Sequence, residues 1–255
     1  MFQDVIEKVN SSAIAKKDLL KNSKAKYLVS SALAGMFVGC GIILIFTIGG
    51  ILSASNSPMT KIAMGVGFGV ALSLVIMAGS ELFTGNNMVM TIGALEKKVS
   101  LIDTLNVWIF SFVGNLLGSV VLAYMYSKSG LPTGPVAEFI GKVSATKMTV
   151  PISELFIRGI LCNIMVCLAV WCSFKLKEEA AKLIMIFWCL FVFITSGFEH
   201  SIANMSLLAI GLFIPHPATV TLSGYIYNIA IVTLGNMVGG IVFVGFAYWF
   251  ISKKK

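Results

Sequence analysis

Residues 196–205 read SGFEHSIANM, a stretch inside the fifth long apolar segment of a 255-residue chain. It sets Glu199 beside His200, with Ser201 and Asn204 following, inside a run otherwise fit for lipid. An acid, an imidazole and an amide at that depth are expensive unless they pair with one another or line a polar space. A second stretch, GSELFTGNN at 79–87, interrupts the second apolar segment in the same way. Working outward, six segments are long enough to cross a bilayer, at about 27–52, 61–95, 101–127, 152–174, 181–213 and 223–251. The second and fifth exceed the length of a single crossing, and each carries its polar interruption near its middle.

Composition agrees with these spans. The chain is 57% hydrophobic and 12% charged, with a mean hydropathy of +0.92. Soluble domains carry about a quarter charged residues, so the expected class is an all-α integral membrane protein. The net charge of +8 comes from short basic blocks between apolar spans, with no basic face interleaved with aromatics. Nucleic acid is therefore excluded as a partner. Cys40, Cys162, Cys167, Cys172 and Cys189 all fall within apolar segments and read as small buried hydrophobes. His200 and His216 are far apart with no clustered Cys or carboxylates, so neither a metal site nor a cofactor is expected. His216, in IPHPAT at 214–219, reads as a loop residue.

Orientation follows from the lysines. Residues 1–26, the loops near Lys97–Lys98 and Lys175–Lys182, and the 253–255 tail hold most of the basic residues. Lys61, Lys128, Lys142 and Lys147 fall on the opposite side. The positive-inside rule then puts both termini in the cytoplasm, as in a multi-pass protein of a bacterial-type inner membrane. Phe2, Val5, Ile6, Val9, Ala13 and Ile14 recur at helical spacing, which predicts an amphipathic helix on the membrane surface within 1–26. The first span then serves as an uncleaved anchor. The longest connection on the other side, about 128–150, contains SGLPTGPVAEF and reads as an outward loop.

The halves of the chain resemble each other. Glu81 to Asn86 aligns with Glu199 to Asn204, and Gly114-Asn115-Leu-Leu-Gly118 with Gly235-Asn236-Met-Val-Gly239. Ala34-Gly35 aligns more loosely with Arg158-Gly159. Three spans per half is odd, so the second half enters the membrane upside down. Such an inverted 3+3 repeat, with its second and fifth helices broken, places a functional site near the midplane between the two breaks.

AGSELFTG at 78–85, LCNIMVCLAVW at 161–171, SGFEHSIANM at 196–205 and TLGNMVGG at 233–240 resemble the formate/nitrite transporter family over about residues 27–252. Within it, GIILIFTIGG at 41–50 and SELFTG at 80–85 are most similar to the bacterial nitrite channel branch, with the hydrosulfide channel branch close behind. The resemblance implies an aquaporin-like protomer, a homopentamer in the lipid bilayer, and one pore per protomer for nitrite, formate, hydrosulfide or a similar small monovalent anion. Residues 27–252 would form the channel body, 1–26 its cytoplasmic helix and 253–255 its tail. By matched motif positions, Phe68, Leu82 and Phe193 would be the apolar constrictions. Thr84, Asn163 and His200 would be the polar pore contacts, and Lys147 the cation that attracts anions at the outer mouth.

An apolar ring opposes a bare anion far more than a neutral acid, and hydrophobic constrictions also gate by dewetting. The expected route is that the anion gains a proton at the central pore, crosses as the acid and then releases it. Two roles are open to His200: proton donor, or polar contact without proton transfer. Glu81 and Glu199 are expected to be structural, accepting hydrogen bonds from backbone N–H groups freed at the breaks. Asn163 has two readings, pore contact or interhelical hydrogen bond, while Asn115 and Asn236 read as close-packing positions beside glycines. A hydrosulfide or formate channel is the alternative within the family, and a water or neutral-solute pore the alternative outside it. An enzyme is disfavoured, since no metal ligands or nucleophile–base pair accompany His200 and Glu199.

Overall fold

The structure, a computed structural model, describes residues 2–253, and all of its regular elements are helical. Helix α1 spans Gln3–Asn22, α2 Lys24–Ala54, α3 Thr60–Met77 and α4 Phe83–Leu95. They are followed by α5 Leu101–Lys128, α6 Gly134–Thr149, α7 Ile152–Lys175, α8 Glu179–Ser196 and α9 Ser201–Phe213. The last rod, Leu222–Ser252, consists of α10 Leu222–Val238, a π-helical stretch Gly239–Phe246 and α11 Ala247–Ser252. Among the described residues, six helices are long and apolar enough to cross a membrane: α2, α3, α5, α7, α8 and the final rod.

Local chemistry sets the helix starts. Ser100 and Asp103 form a reciprocal capping box at the head of α5, and the Thr221 hydroxyl accepts the Gly224 N–H at the head of α10. At the ends of α3 and α8 the chain turns through Gly79 and Gly197, with φ of 76° and 77°. Side chains with a Cβ resist that left-handed conformation, so these glycines release the chain into the non-helical residues 78–82 and 197–200.

The helices pack closely at small residues, the usual device where lipid offers no hydrophobic drive for association. A Cβ on Gly118 would run into the Ala32 carbonyl, and one on Gly239 into the Ile160 carbonyl. Leu101, Ile102, Leu105, Ile226 and Phe250 meanwhile stand exposed on the outer surface. An apolar surface of this extent needs lipid or another protein surface to cover it, in keeping with a multi-pass membrane protein.

Two elements differ from the sequence reading. The apolar face of α1 is not left for the membrane surface. Val5, Ile6, Val9 and Ala13 are buried with Met88, Ile92, Val99 and Trp171, and Ala13 packs against Gly93 of α4. Lys8 Nζ also donates to the Phe174 carbonyl at 2.9 Å, and the Gln3 amide donates to the Ser252 carbonyl. The 128–150 connection is not simply a loop. Pro135 in the first turn of α6 suits a helix start, where its missing N–H costs nothing. Ile140, Gly141, Ser144 and Met148 then form a buried face, a helical period hidden in the sequence by the preceding glycines and prolines.

Candidate functional site

The two non-helical stretches are held by matched hydrogen bonds. The backbone N–H of Phe83, first residue of α4, donates to Asn115 Oδ1 at 2.9 Å, and Asn115 Nδ2 donates to the Ser31 and Glu81 carbonyls. The N–H of Ser201, first residue of α9, donates to Asn236 Oδ1 at 2.9 Å, and Asn236 Nδ2 donates to the Gly159 and Glu199 carbonyls. Each asparagine thus satisfies one helix-start amide and one carbonyl of the non-helical stretch, Glu81 or Glu199, and adds a second bond to a carbonyl inside α2 or α7. This corrects two sequence expectations: Asn115 and Asn236 do more than fill space, and the carboxylates of Glu81 and Glu199 do not hold the freed backbone.

Those carboxylates pair with cations. Glu81 takes Lys16 Nζ of α1 at 2.9 Å on both oxygens, and its Oε2 also accepts from the Tyr27 hydroxyl and Asn86 Nδ2. Glu199 Oε2 takes Lys147 Nζ and Asn204 Nδ2, each at 2.6 Å. Lys147 is therefore no bare cation. It lines the cavity on the α6 side, but its charge is met by Glu199. Lys16 had no sequence signal for its role, because nothing in an amphipathic lysine-rich helix reports which lysine folds back into the body. Asn86 and Asn204 were visible as a matched pair.

Two cavities open toward opposite ends of the molecule. The one on the α1 side has a volume of about 840 Å3, and its walls include Lys16, Glu81, Leu82, Asn86, Glu179 and Lys182. The one on the α6 side holds about 170 Å3 and is bounded by Lys61, Lys147, Phe193, Phe198, His200 and Asn204. Between them a gap of about 10 Å3 is lined by Val38, Phe68, Ala71, Leu72, Leu82, Val166, Leu190, Phe193 and His200. That is scarcely room for one water, and His200 is the one titratable side chain on its wall. Leu82 borders both the gap and the α1-side cavity, while Phe193 and His200 border both the gap and the α6-side cavity. The Phe68 and Phe193 rings meet edge to face at 5.3 Å.

His200 caps α9: its Nδ1 accepts the Ala203 N–H at 3.1 Å. A nitrogen accepting a backbone amide carries no proton of its own, so the neutral ring holds its hydrogen at Nε2. That atom lies 3.0 Å from Thr84 Oγ1 in the first turn of α4. Phe193 stacks on the imidazole with centroids 6.0 Å apart.

Phe68, Leu82, Phe193 and His200 are thus brought together around one gap, and Thr84 stands behind His200 as its partner. Asn163 lines none of these three spaces. Its Nδ2 faces the Thr84 carbonyl at 3.2 Å, Asn87 Oδ1 at 3.2 Å and the Asn236 carbonyl at 2.7 Å. Of the two sequence readings, the interhelical hydrogen bond is the one present. Among the described residues no cluster of His, Cys, Asp and Glu has the makings of a metal site.

Comparison with known proteins gives this arrangement a context. A family model described as "Formate/nitrite transporter" matches residues 3–250. "Nitrite transporter NirC" of Escherichia coli is 45% identical over 255 residues, covering 100% of this chain and 94% of that protein. A solved structure described as "FNT family ion channel" superposes with a TM-score of 0.94 at 42% identity, covering 99% of this chain and 100% of the other. A second, "Pentameric formate channel with formate bound", gives 0.81 at 29% identity, over 92% and 99%. The proteins matched are transporters and channels, not enzymes.

Proposed function

Since the chain belongs to the formate/nitrite transporter family, we propose that it is a channel for small monovalent anions of weak acids, with nitrite first among them. The observation that carries this reading is the apolar gap of about 10 Å3 between two cavities whose walls each carry lysine, Lys16 and Lys182 on one side and Lys61 and Lys147 on the other. Lysines near the mouths favour an anion in the cavities. The gap does not: a charge at the centre of a bilayer costs about 2.5–3.5 kcal/mol on insertion scales.

The anion therefore crosses the gap as its neutral acid. In the cavity it gains a proton, passes Leu82, Phe68 and Phe193, and gives the proton up on the far side. His200 offers the gap its one ionisable edge. With Nδ1 taken by Ala203 and the Nε2 hydrogen turned toward Thr84, the imidazole serves as a polar contact, and water in the cavities supplies the proton.

The same reading makes the protomer an aquaporin-like inverted repeat with broken second and fifth helices. Supporting it are the equivalent bonds of Asn115 and Asn236, the equivalent pairs Lys16–Glu81 and Lys147–Glu199, and the matched left-handed glycines. In it, residues 27–252 form the channel body, the α1 side faces the cytoplasm by the positive-inside rule, and five protomers assemble in a bacterial-type inner membrane. A pentamer fits both the exposed apolar surface and the similarity to a pentameric formate channel.

Flux into liposomes tests the reading. Nitrite, formate and hydrosulfide should move faster than in protein-free vesicles, nitrite most of all. Rapid water movement with none of the three anions passing would instead make this a water or neutral-solute pore.

A further inference from the structure

The two cavities differ in a way that the repeat does not share. On the α1 side, the charged wall residues pair off completely: Lys16 with Glu81 at 2.9 Å, and Lys182 with Glu179 at 2.8 Å. On the α6 side the charged wall residues are Lys61 and Lys147. Lys147 is matched by Glu199 at 2.6 Å, but Lys61 forms no ion pair among the described residues. Lys61 stands exposed in the first turn of α3 (Thr60–Met77), where the positive end of the helix dipole adds to its charge. The other charged residues of α6, Glu138 and Lys142, do not line the cavity and oppose each other in sign.

We propose that Lys61 is the anion-capture residue of the α6-side mouth, and that the two mouths consequently saturate at different anion concentrations. This rests on the channel reading above. A paired ammonium directs part of its field into its own carboxylate, whereas Lys61 directs its field into the cavity and toward solvent. A unit charge a few ångströms from a bound anion, in a water-filled mouth, is worth about three- to fivefold in local anion concentration at low salt. The effect fades once the screening length falls to a few ångströms.

The signature lies in saturation. Passive flux at low, equal concentration must be the same in both directions, and the apolar gap sets its rate. Holding the anion more firmly at one mouth therefore lowers the half-saturating concentration measured from that mouth alone.

The test uses the full-length protein in liposomes of known orientation, with nitrite added from one side at a time and ionic strength held constant. Lys61→Gln should raise the half-saturating nitrite concentration about three- to fivefold from the α6-side mouth in low salt. The value from the α1-side mouth should not change, the difference should vanish in high salt, and Lys61→Arg should behave as the unmodified protein. A merely structural lysine would not give a shift confined to one side and abolished by salt. A conducting protein whose Lys61→Gln variant saturates unchanged from both sides overturns this inference and leaves the channel reading intact. Failure of the unmodified protein to pass nitrite, formate or hydrosulfide overturns both.

Discussion

His200 Nε2 and Thr84 Oγ1 lie 3.0 Å apart, so the loop before α9 and the first turn of α4 meet through one buried hydrogen bond beside the narrowest part of the molecule. Because Nδ1 of the same ring is the acceptor that caps α9, the imidazole is fixed from both sides. It is a strut between α4 and α9 as well as a polar edge for the gap.

His200→Asn tests that double role. An asparagine oxygen is a good helix cap, so the variant should fold and assemble, and its nitrite flux should remain proton-linked at a lower rate. His200→Leu loses the cap as well and should be less stable by about 1 kcal/mol. Thermal stability in detergent and proton-linked flux, measured on the same preparations, separate the effects. Loss of proton linkage in the folded Asn variant would identify His200 as the proton donor.

Asn115→Ala and Asn236→Ala should each be costly. Either change strands one buried N–H and the carbonyl of Glu81 or Glu199, at about 1–3 kcal/mol per unsatisfied group. The two variants should lower the unfolding temperature to a similar extent. An unchanged melting curve for either would mean that the breaks are held elsewhere.

Lys16→Met should destabilise the α1 side, because it leaves the Glu81 carboxylate without its cation. The pair is partly buried on the wall of the α1-side cavity, so the loss should fall below the roughly 3–5 kcal/mol of a fully buried pair, with much of it recovered when the second charge is also removed. The double variant Lys16→Met, Glu81→Gln should therefore be more stable than Lys16→Met alone. Additive losses would show that the pair is not coupled.

Phe193→Ala should open the gap. With less apolar wall between the cavities, the penalty of about 2.5–3.5 kcal/mol on a bare charge shrinks, and electrogenic anion current should rise by up to about a hundredfold. Planar-bilayer recording gives the answer. A variant that gains no current and keeps its proton linkage would place the barrier elsewhere.

Much of this architecture is legible in the chain. The six spans follow from apolar run length, and the interruptions stand out because Glu81, Asn86, Glu199, His200 and Asn204 break that run at matched places. Phe68 and Phe193 stood out among the many phenylalanines only through matched family positions, and the fold then brings their rings together. What escaped the sequence are partnerships between distant elements. Lys16 reaches Glu81 only because α1 folds back under α4, and Asn115 looks like a packing residue until its three backbone partners are seen. Lys147 reads as a free cation because its carboxylate, Glu199, lies more than fifty residues on, in the non-helical stretch between α8 and α9. Asn163 reads equally as a lining or a packing residue, and only its bonds to Thr84, Asn87 and Asn236 decide between them.

The most direct test of passage as the neutral acid is to record internal pH while nitrite enters liposomes containing the protein. One proton should accompany each anion, so the interior should acidify in step with nitrite uptake while the membrane potential stays flat. Nitrite uptake that builds a negative interior potential without acidification would contradict it.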